Sequence, residues 1–375
     1  MILTILIFIA ILSVLVFVHE FGHFYVARKS GMKVDEFGFG FPPRIVGIQK
    51  VNNRWNLVWG LKPPKDLDQT VYSINLIPLG GFVKIMGENN EGESDPRSFI
   101  NRPFWGRFLT LIAGVFMNVL LAWVLVSAGF VFGLPAAIDD VRQLPKHAVL
   151  RDPQVAIVEL VPGRPAEKAG LKAGDIIVSV DGVNAQDQAG SQTVRAYITS
   201  NAGKELDFKI RRIKNILEVK VKSVANPGPG QGPTGIVLTD IGKLSYPWYI
   251  APFIGAKTVY FQIIGIITGL YSLLTAKLGF ASLGGPVQIA RLTGQVADLG
   301  FVYVLQFAAF LSLNLAVLNI LPFPALDGGR ILFLIIEKIR GKRNNQKMEQ
   351  IANTAGFVAL IFLMIAVTVK DLIKK

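Results

Sequence analysis

Long apolar runs alternate with polar stretches along the chain, and run length sets the first expectation. A membrane-spanning helix needs about 20 mostly apolar residues. Four segments meet that: Met1 to about Val26, one within Phe108–Leu134, one within Phe301–Leu321, and Ile351–Val369. A fifth, Thr258–Ala276, is also uncharged and long enough. Its small and polar residues Thr258, Gln262, Gly265, Gly269, Ser272 and Ala276 recur at steps of three and four. That spacing draws one stripe along a helix, which suits a helix lying in the interface or packed on a bundle edge.

The polar stretches carry a different pattern. In Val71–Gly87, β-branched and aromatic residues flank Pro78-Leu79-Gly80-Gly81, which predicts a β-hairpin over 71–87. Its apolar content suits a piece dipping into the membrane, where protein or water must satisfy its backbone. Residues 140–245 read as one inserted α+β domain. Its strand-like runs are Val155–Val161, Ile176–Val180, Leu206–Ile210 and Leu217–Val221, with a short helix over Pro165–Gly170. Ala225–Thr234, rich in Pro and Gly, reads as a linker. The expected division is 1–139, membrane core with helices 1 and 2 and the hairpin; 140–245, the inserted domain; and 246–375, the interfacial helix with helices 3 and 4.

The expected fold class is thus an α-helical polytopic membrane protein with four transmembrane helices, a membrane-associated β-hairpin and one extracytoplasmic α+β domain. Orientation follows from Lys and Arg near segment ends. Arg28, Lys29 and Lys33 follow the first segment, and Arg97, Arg102 and Arg107 precede the second. Arg330, Lys338, Arg340, Lys342, Arg343 and Lys347 lie between the third and fourth. These groups mark the cytoplasmic side and put both termini outside. Lys370, Lys374 and Lys375 run against the rule. Of 375 residues, 51% are hydrophobic and the net charge is +13. The basic residues sit beside apolar segments, so the excess reads as topology and contact with the lipid bilayer, not nucleic-acid binding. There is no Cys, which removes disulfides and thiolate metal sites.

Candidate chemistry begins at His19-Glu20-Phe21-Gly22-His23. Two of the chain's three His are here. At i and i+4 they share one helix face, so both imidazoles can reach one zinc with Glu20 beside the bound water. Ionisable residues ending a lipid-length apolar run are expensive to place there and point to function. A catalytic zinc usually takes three protein ligands and a water. The remaining His147 falls in the inserted domain, so the third ligand is sought among carboxylates. Asp327 is the sole acid in Asn319-Ile-Leu-Pro-Phe-Pro-Ala-Leu-Asp-Gly-Gly329. It suits a ligand, and equally a cap on a helix beginning near Arg330. Parity bears on the choice. If 258–276 spans, Asp327 lies about 30 Å from the His pair, across the membrane. If that segment lies flat, all three residues meet at one depth.

The motif set resembles the site-2 protease family of zinc intramembrane metalloproteases, and is most similar to its bacterial regulator of sigma-E protease group. The matching pieces are His19 to His23, Gly38-Phe39-Gly40-Phe41, Ile77 to Lys84, Gly114 with Asn118, Gly284-Gly285-Pro286-Val287, and Asn319 to Gly329. Pro165 to Asp175 with Val180-Asp181-Gly182 resembles a PDZ domain. The enterobacterial type carries two in tandem, whereas this loop has room for one. The resemblance implies Zn2+ held by His19, His23 and Asp327, with Glu20 as general base. It implies that an unwound substrate pairs with an edge strand, making Gly80, Gly81, Phe82, Asn319, Pro322 and Pro324 candidate substrate contacts. Asn118 is a weaker one, or a helix-packing residue. Implied partners are single-span membrane proteins, such as an anti-sigma factor or signal-peptide remnants, and a peptide ligand of the PDZ domain. The implied location is the bacterial cytoplasmic membrane, with the PDZ domain outside and the active site toward the cytoplasm. A membrane PDZ adaptor or inactive pseudoprotease is the alternative, against which the intact Glu20 and ligand set count. A metal transporter would need ligands staged at several depths.

Overall fold

The structure is a computed structural model that describes residues 2–88, 95–138, 144–185, 190–212, 215–228, 232–275 and 284–373. Of the positions singled out above, Met1, Ala276, Lys374, Lys375, the boundary at 139–140 and residues 229–231 of the expected linker lie outside the described residues. The chain divides into two compact units: Met1–Ser127 with Pro252–Lys375, and Ala128–Ala251.

The first unit opens with α1 (Ile2–Lys29), then β1 (Val34–Val51), β2 (Arg54–Trp59), β3 (Val71–Ile85) and α2 (Phe104–Phe132). The second unit carries β4 (Leu134–Ile138), β5 (Val149–Leu160), α3 (Pro165–Lys168), β6 (Ile176–Val180), β7 (Val183–Asn184), α4 (Gly190–Ser200), β8 (Glu205–Arg212), β9 (Asn215–Lys222) and β10 (Ile236–Ser245). The chain then returns to the first unit with α5 (Ala251–Leu274), α6 (Pro286–Leu299), α7 (Phe301–Ile320), α8 (Asp327–Arg340) and α9 (Gln346–Ile373). Among the described residues, α1, α2, α5, α7 and α9 are long and apolar enough to cross a membrane. Many of their large apolar side chains are exposed, as in Ile5, Leu6, Phe116, Phe261, Phe310, Phe357 and Phe362. A water-soluble bundle would bury them; lipid solvates them.

The expected hairpin over 71–87 takes another form. Residues 71–85 make one bent strand, and its two limbs do not pair with each other. Both pair with β1, so Phe37 faces Val83 on one side and Tyr72 on the other. The turn residues bend the strand: Gly80 has φ +83°, a region open to glycine. The Pro78 carbonyl accepts from Ser13 Oγ of α1 at 2.9 Å. β2 extends the sheet in the order β2-β1-β3. Ile74, Leu76, Ile77 and Leu79 of β3 are exposed.

In the second unit the sheet runs β4-β10-β5-β6-β8-β9, with β7 on β6. Val155, Ile157, Ile177, Val180, Leu206, Phe208, Ile210 and Leu238 form its core with Val194 and Ile198 of α4. β4, α4 and β10 were not anticipated from the sequence. β10 contains Asp240, a residue depleted in strands. Its buried carboxylate accepts from Ser191 N at 2.9 Å and Ser191 Oγ at 2.8 Å, which ties α4 to the sheet.

Candidate metal centre

The site lies within the first unit and draws on α1, α2, α7 and α8. Gly22 sets the distance between α1 and α2. A Cβ there would stand 2.8 Å from Met117 Cγ and 2.8 Å from the Ala113 carbonyl carbon, so only a residue without one permits the approach. On the facing side of α2, Thr110, Gly114 and Asn118 fall at successive i+4 steps. The Thr110 carbonyl accepts from His23 Nδ1 at 2.7 Å. Asn118 Nδ2 lies 3.2 Å from His19 Nδ1. Between them, a Cβ at Gly114 would collide with His23 Nε2 and lie 2.8 Å from His19 Nε2.

The third group arrives from the other end of the chain. α7 stops at Ile320, because Pro322 and Pro324 lack the N–H a continuing helix requires. The chain turns back and α8 begins at once. A Cβ on Gly328 would strike the carbonyl oxygens of Ile320 and Leu321; one on Gly329 would lie 2.7 Å from the Phe323 carbonyl carbon. Leu326 occupies the N-cap position with no side-chain cap bond, and Asp327 is the first helical residue. Asp327 therefore does not serve as the cap of α8. Its Oδ2 lies 3.1 Å from His19 Nε2 and 3.4 Å from His23 Nε2, and the two Nε2 atoms are 3.1 Å apart.

These three atoms suit a cation. Both His are buried, and Asp327 Oδ2 is buried with no hydrogen-bond donor. With both imidazoles in the Nδ1-protonated tautomer, the three converging atoms all present lone pairs, an arrangement that is costly unless a positive ion lies among them. Their spacing matches the edge of about 3.3 Å of a tetrahedron whose ligands lie about 2.0 Å from its centre, the zinc preference. Among the described residues this is the one group of His, Asp or Glu side chains placed to hold a metal.

Other expected residues fall at varied distances. Asn319 Nδ2 is 3.3 Å from His19 Nε2, at the site. Gly81 rests on α1 beside Glu20, where a Cβ would lie 3.1 Å from Glu20 Cβ and 2.9 Å from Phe17 Cα. Gly80 packs on Val16, and Phe82 pairs with Gly38 in the sheet. Pro324 lies under α9, close to Gly356, and Pro322 is exposed. Two ion pairs invisible to the sequence reading brace this region. Arg330 pairs with Glu88, which follows β3, and Arg107 pairs with Glu337 at 2.7 Å. The Thr110 carbonyl was also missed, since a main-chain acceptor leaves no residue-type signature.

The family model described as "Peptidase family M50" matches residues 7–59 and 63–363. A protein named as a zinc metalloprotease in Clostridium perfringens is 32% identical, over 96% of each chain. The regulator of sigma-W protease RasP of Bacillus subtilis is 30% identical, over 98% of each. A further protein named as a zinc metalloprotease, from Nostoc, is 33% identical over 97% of this chain and 94% of its own. Among solved structures, the PDZ domain of an SdrC-like protein of Listeria innocua is 29% identical. It covers 23% of this chain and 92% of its own, with TM-score 0.20. With the model spanning most of the chain and relatives matching nearly end to end, this chain belongs to peptidase family M50 and is a zinc-dependent metalloendopeptidase of the membrane.

Proposed function

We propose that this protein cuts transmembrane segments of single-span membrane proteins, using a zinc held by His19, His23 and Asp327 with Glu20 as general base. The observation that carries the reading is the convergence of three buried lone-pair atoms, two of them Nε2 of an i,i+4 pair, inside an apolar helix bundle. A zinc held there would supply Lewis-acid polarisation of the scissile carbonyl and a water of lowered pKa. Glu20 would take the water's proton and return it to the leaving amine. Asn319 donates toward the substrate backbone. A helical substrate must unwind first. The exposed limb Leu76–Leu79 of β3, continuing to Gly81 beside Glu20, offers main-chain groups to an extended segment. Gly80, Phe82, Pro322 and Pro324 shape that path. The name of the Bacillus relative points to a sigma-factor regulator as the substrate class.

The reading includes four crossings, with α5 at the interface or bundle edge and the metal toward the cytoplasmic side. Contacts at the start of α5 and along α6 support it. The Pro252 carbonyl accepts from Trp123 Nε1 at 2.8 Å, near the end of α2. Beyond α5, the first turn of α6 meets Asp371 near the end of α9, and Gly294 of α6 touches Thr4 at the start of α1. These anchors belong to one face if α1 and α2 are antiparallel. The unit at 128–251 serves as a PDZ-type gate on substrate access, outside the membrane, and receives an extended peptide.

Metal analysis of purified protein tests the centre. His23→Ala and Asp327→Ala should each lose zinc and proteolysis while the bundle stays folded. Stoichiometric zinc retained in both would sink the assignment.

A further inference from the structure

The i,i+4 pair on α1 is matched by a second stripe on α2, and neither a substrate contact nor helix packing explains why Asn118 faces His19. Thr110, Gly114 and Asn118 lie one turn apart, opposite His23, both rings, and His19 respectively. A neutral imidazole carries one N–H and one lone pair, and its partner at one nitrogen decides which faces the other way. For His23 the partner is a carbonyl, which can only accept. Its Nδ1 therefore donates, and the Nε2 lone pair points toward Asp327.

His19 has a side-chain amide instead, and an amide can play either part. If Asn118 presents its NH2 to Nδ1, the proton sits on Nε2 and blocks that nitrogen as a ligand. If it presents Oδ1, Nδ1 donates and Nε2 is free. With NH2 against the ring, Oδ1 is buried without a hydrogen-bond partner, at a residue that is fully buried. A half-turn of the amide brings Oδ1 against the Nδ1 proton and leaves Nε2 as the lone-pair nitrogen. The residue is well fixed for this. Its backbone carbonyl accepts from Ser312 Oγ of α7 at 2.8 Å, so α2 is held at this turn from the far side.

From this juxtaposition we infer that Asn118 is a positioning residue which, through Oδ1, fixes the tautomer and ring plane of His19 so that Nε2 ligates the metal. The inference rests on the zinc assignment of the preceding section. Outer partners of metal-bound His typically change metal affinity about 10–100-fold when removed. A packing role would not be repaired by a charge, whereas an accepting role would. Asp at this position keeps the size and can only accept.

The test uses the full-length chain in detergent, with zinc affinity read by chelator competition and the ligand field by the visible spectrum of the cobalt form. Asn118→Ala should bind zinc about 10–100-fold more weakly, with an altered cobalt spectrum. Asn118→Asp should bind at least as tightly as the parent and restore the spectrum. Unchanged affinity in Asn118→Ala overturns the inference, and so does an Asn118→Asp variant that binds tenfold more weakly than the parent. If the Ala variant does not fold, the Asp variant decides alone by the same criterion. His23→Ala and Asp327→Ala run alongside. If they keep zinc, the metal assignment has failed; if they lose it while Asn118→Ala keeps it, only the role of Asn118 has.

Discussion

Gly114→Ala puts one methyl group into the space between the two imidazoles. The added Cβ would lie 2.7 Å from His19 Cε1 and 2.8 Å from His19 Nε2, and closer still to His23 Nε2. Ordinary contact begins near 3.4 Å, so the His19 ring must withdraw by about 0.7 Å, the difference from 2.7 Å. Neither ring is a free end. Asn118 and the Thr110 carbonyl hold them from behind, and Gly22 already sets α1 against the Ala113 backbone. The strain of overpacking is typically about 1–3 kcal/mol, which a bundle of this size survives. A metal site does not: ligand distances tolerate about 0.2 Å. A displacement of about 1 Å can cost about 100-fold in rate. The expected result is a folded protein with sub-stoichiometric zinc and proteolysis down at least about 100-fold. Zinc content, thermal unfolding and cleavage of a single-span substrate should be measured on one preparation. Full zinc with parental turnover would refute the reasoning, since the rings would then have room that the structure denies them.

Glu20→Gln should keep zinc and lose proteolysis, because an amide cannot take the water's proton; metal analysis paired with the cleavage assay checks both halves. Asp371→Ala should destabilise the bundle by about 0.5–2 kcal/mol. The buried carboxylate accepts from Gly285 N at 2.9 Å and Gln288 N at 3.2 Å and so caps α6, and thermal unfolding in detergent reads the loss. Because the chain has no Cys, single Cys at Ser245, Lys342 and Ile373 should label outside, inside and outside with an impermeant reagent. Labelling of 342 from outside with 373 protected would mean five crossings. Deleting 140–245 should leave cleavage of short-ectodomain substrates and admit bulkier ones; an inserted, zinc-loaded deletion that cleaves nothing would give this domain a direct part in catalysis.

The candidate metal centre was readable because its signals are local. His19 and His23 announce one helix face, and the Pro322-Pro324 break beside Asp327 and two Gly marks where a helix must stop and turn. The supporting residues were not readable, because their partners lie far along the chain. Glu88 meets Arg330 across 242 positions and Gly285 meets Asp371 across 86, and nothing in either neighbourhood names the other. Val71–Gly87 carried a hairpin's composition. It did not reveal that both limbs would choose β1 as partner, since period-2 patterning gives no address for pairing. In the second unit β10 went unseen because Asp240 interrupts its apolar pattern, although that carboxylate is spent on Ser191. Helix α6 was missed for a related reason: its start is defined by a carboxylate from α9 rather than by a cap of its own.

The wide sequence separation of the ligands has a consequence in time. Asp327 is synthesised 304 residues after His23. At about 5–20 residues per second, roughly 15–60 s pass between the two. In that interval α1 is a plain anchor with two imidazoles, and the entire unit between α2 and α5 is made. With the proposed ligand set, the site is complete only once α8 has been made. On that assignment, membrane segments made before α8, including the chain's own, emerge beside an incomplete site.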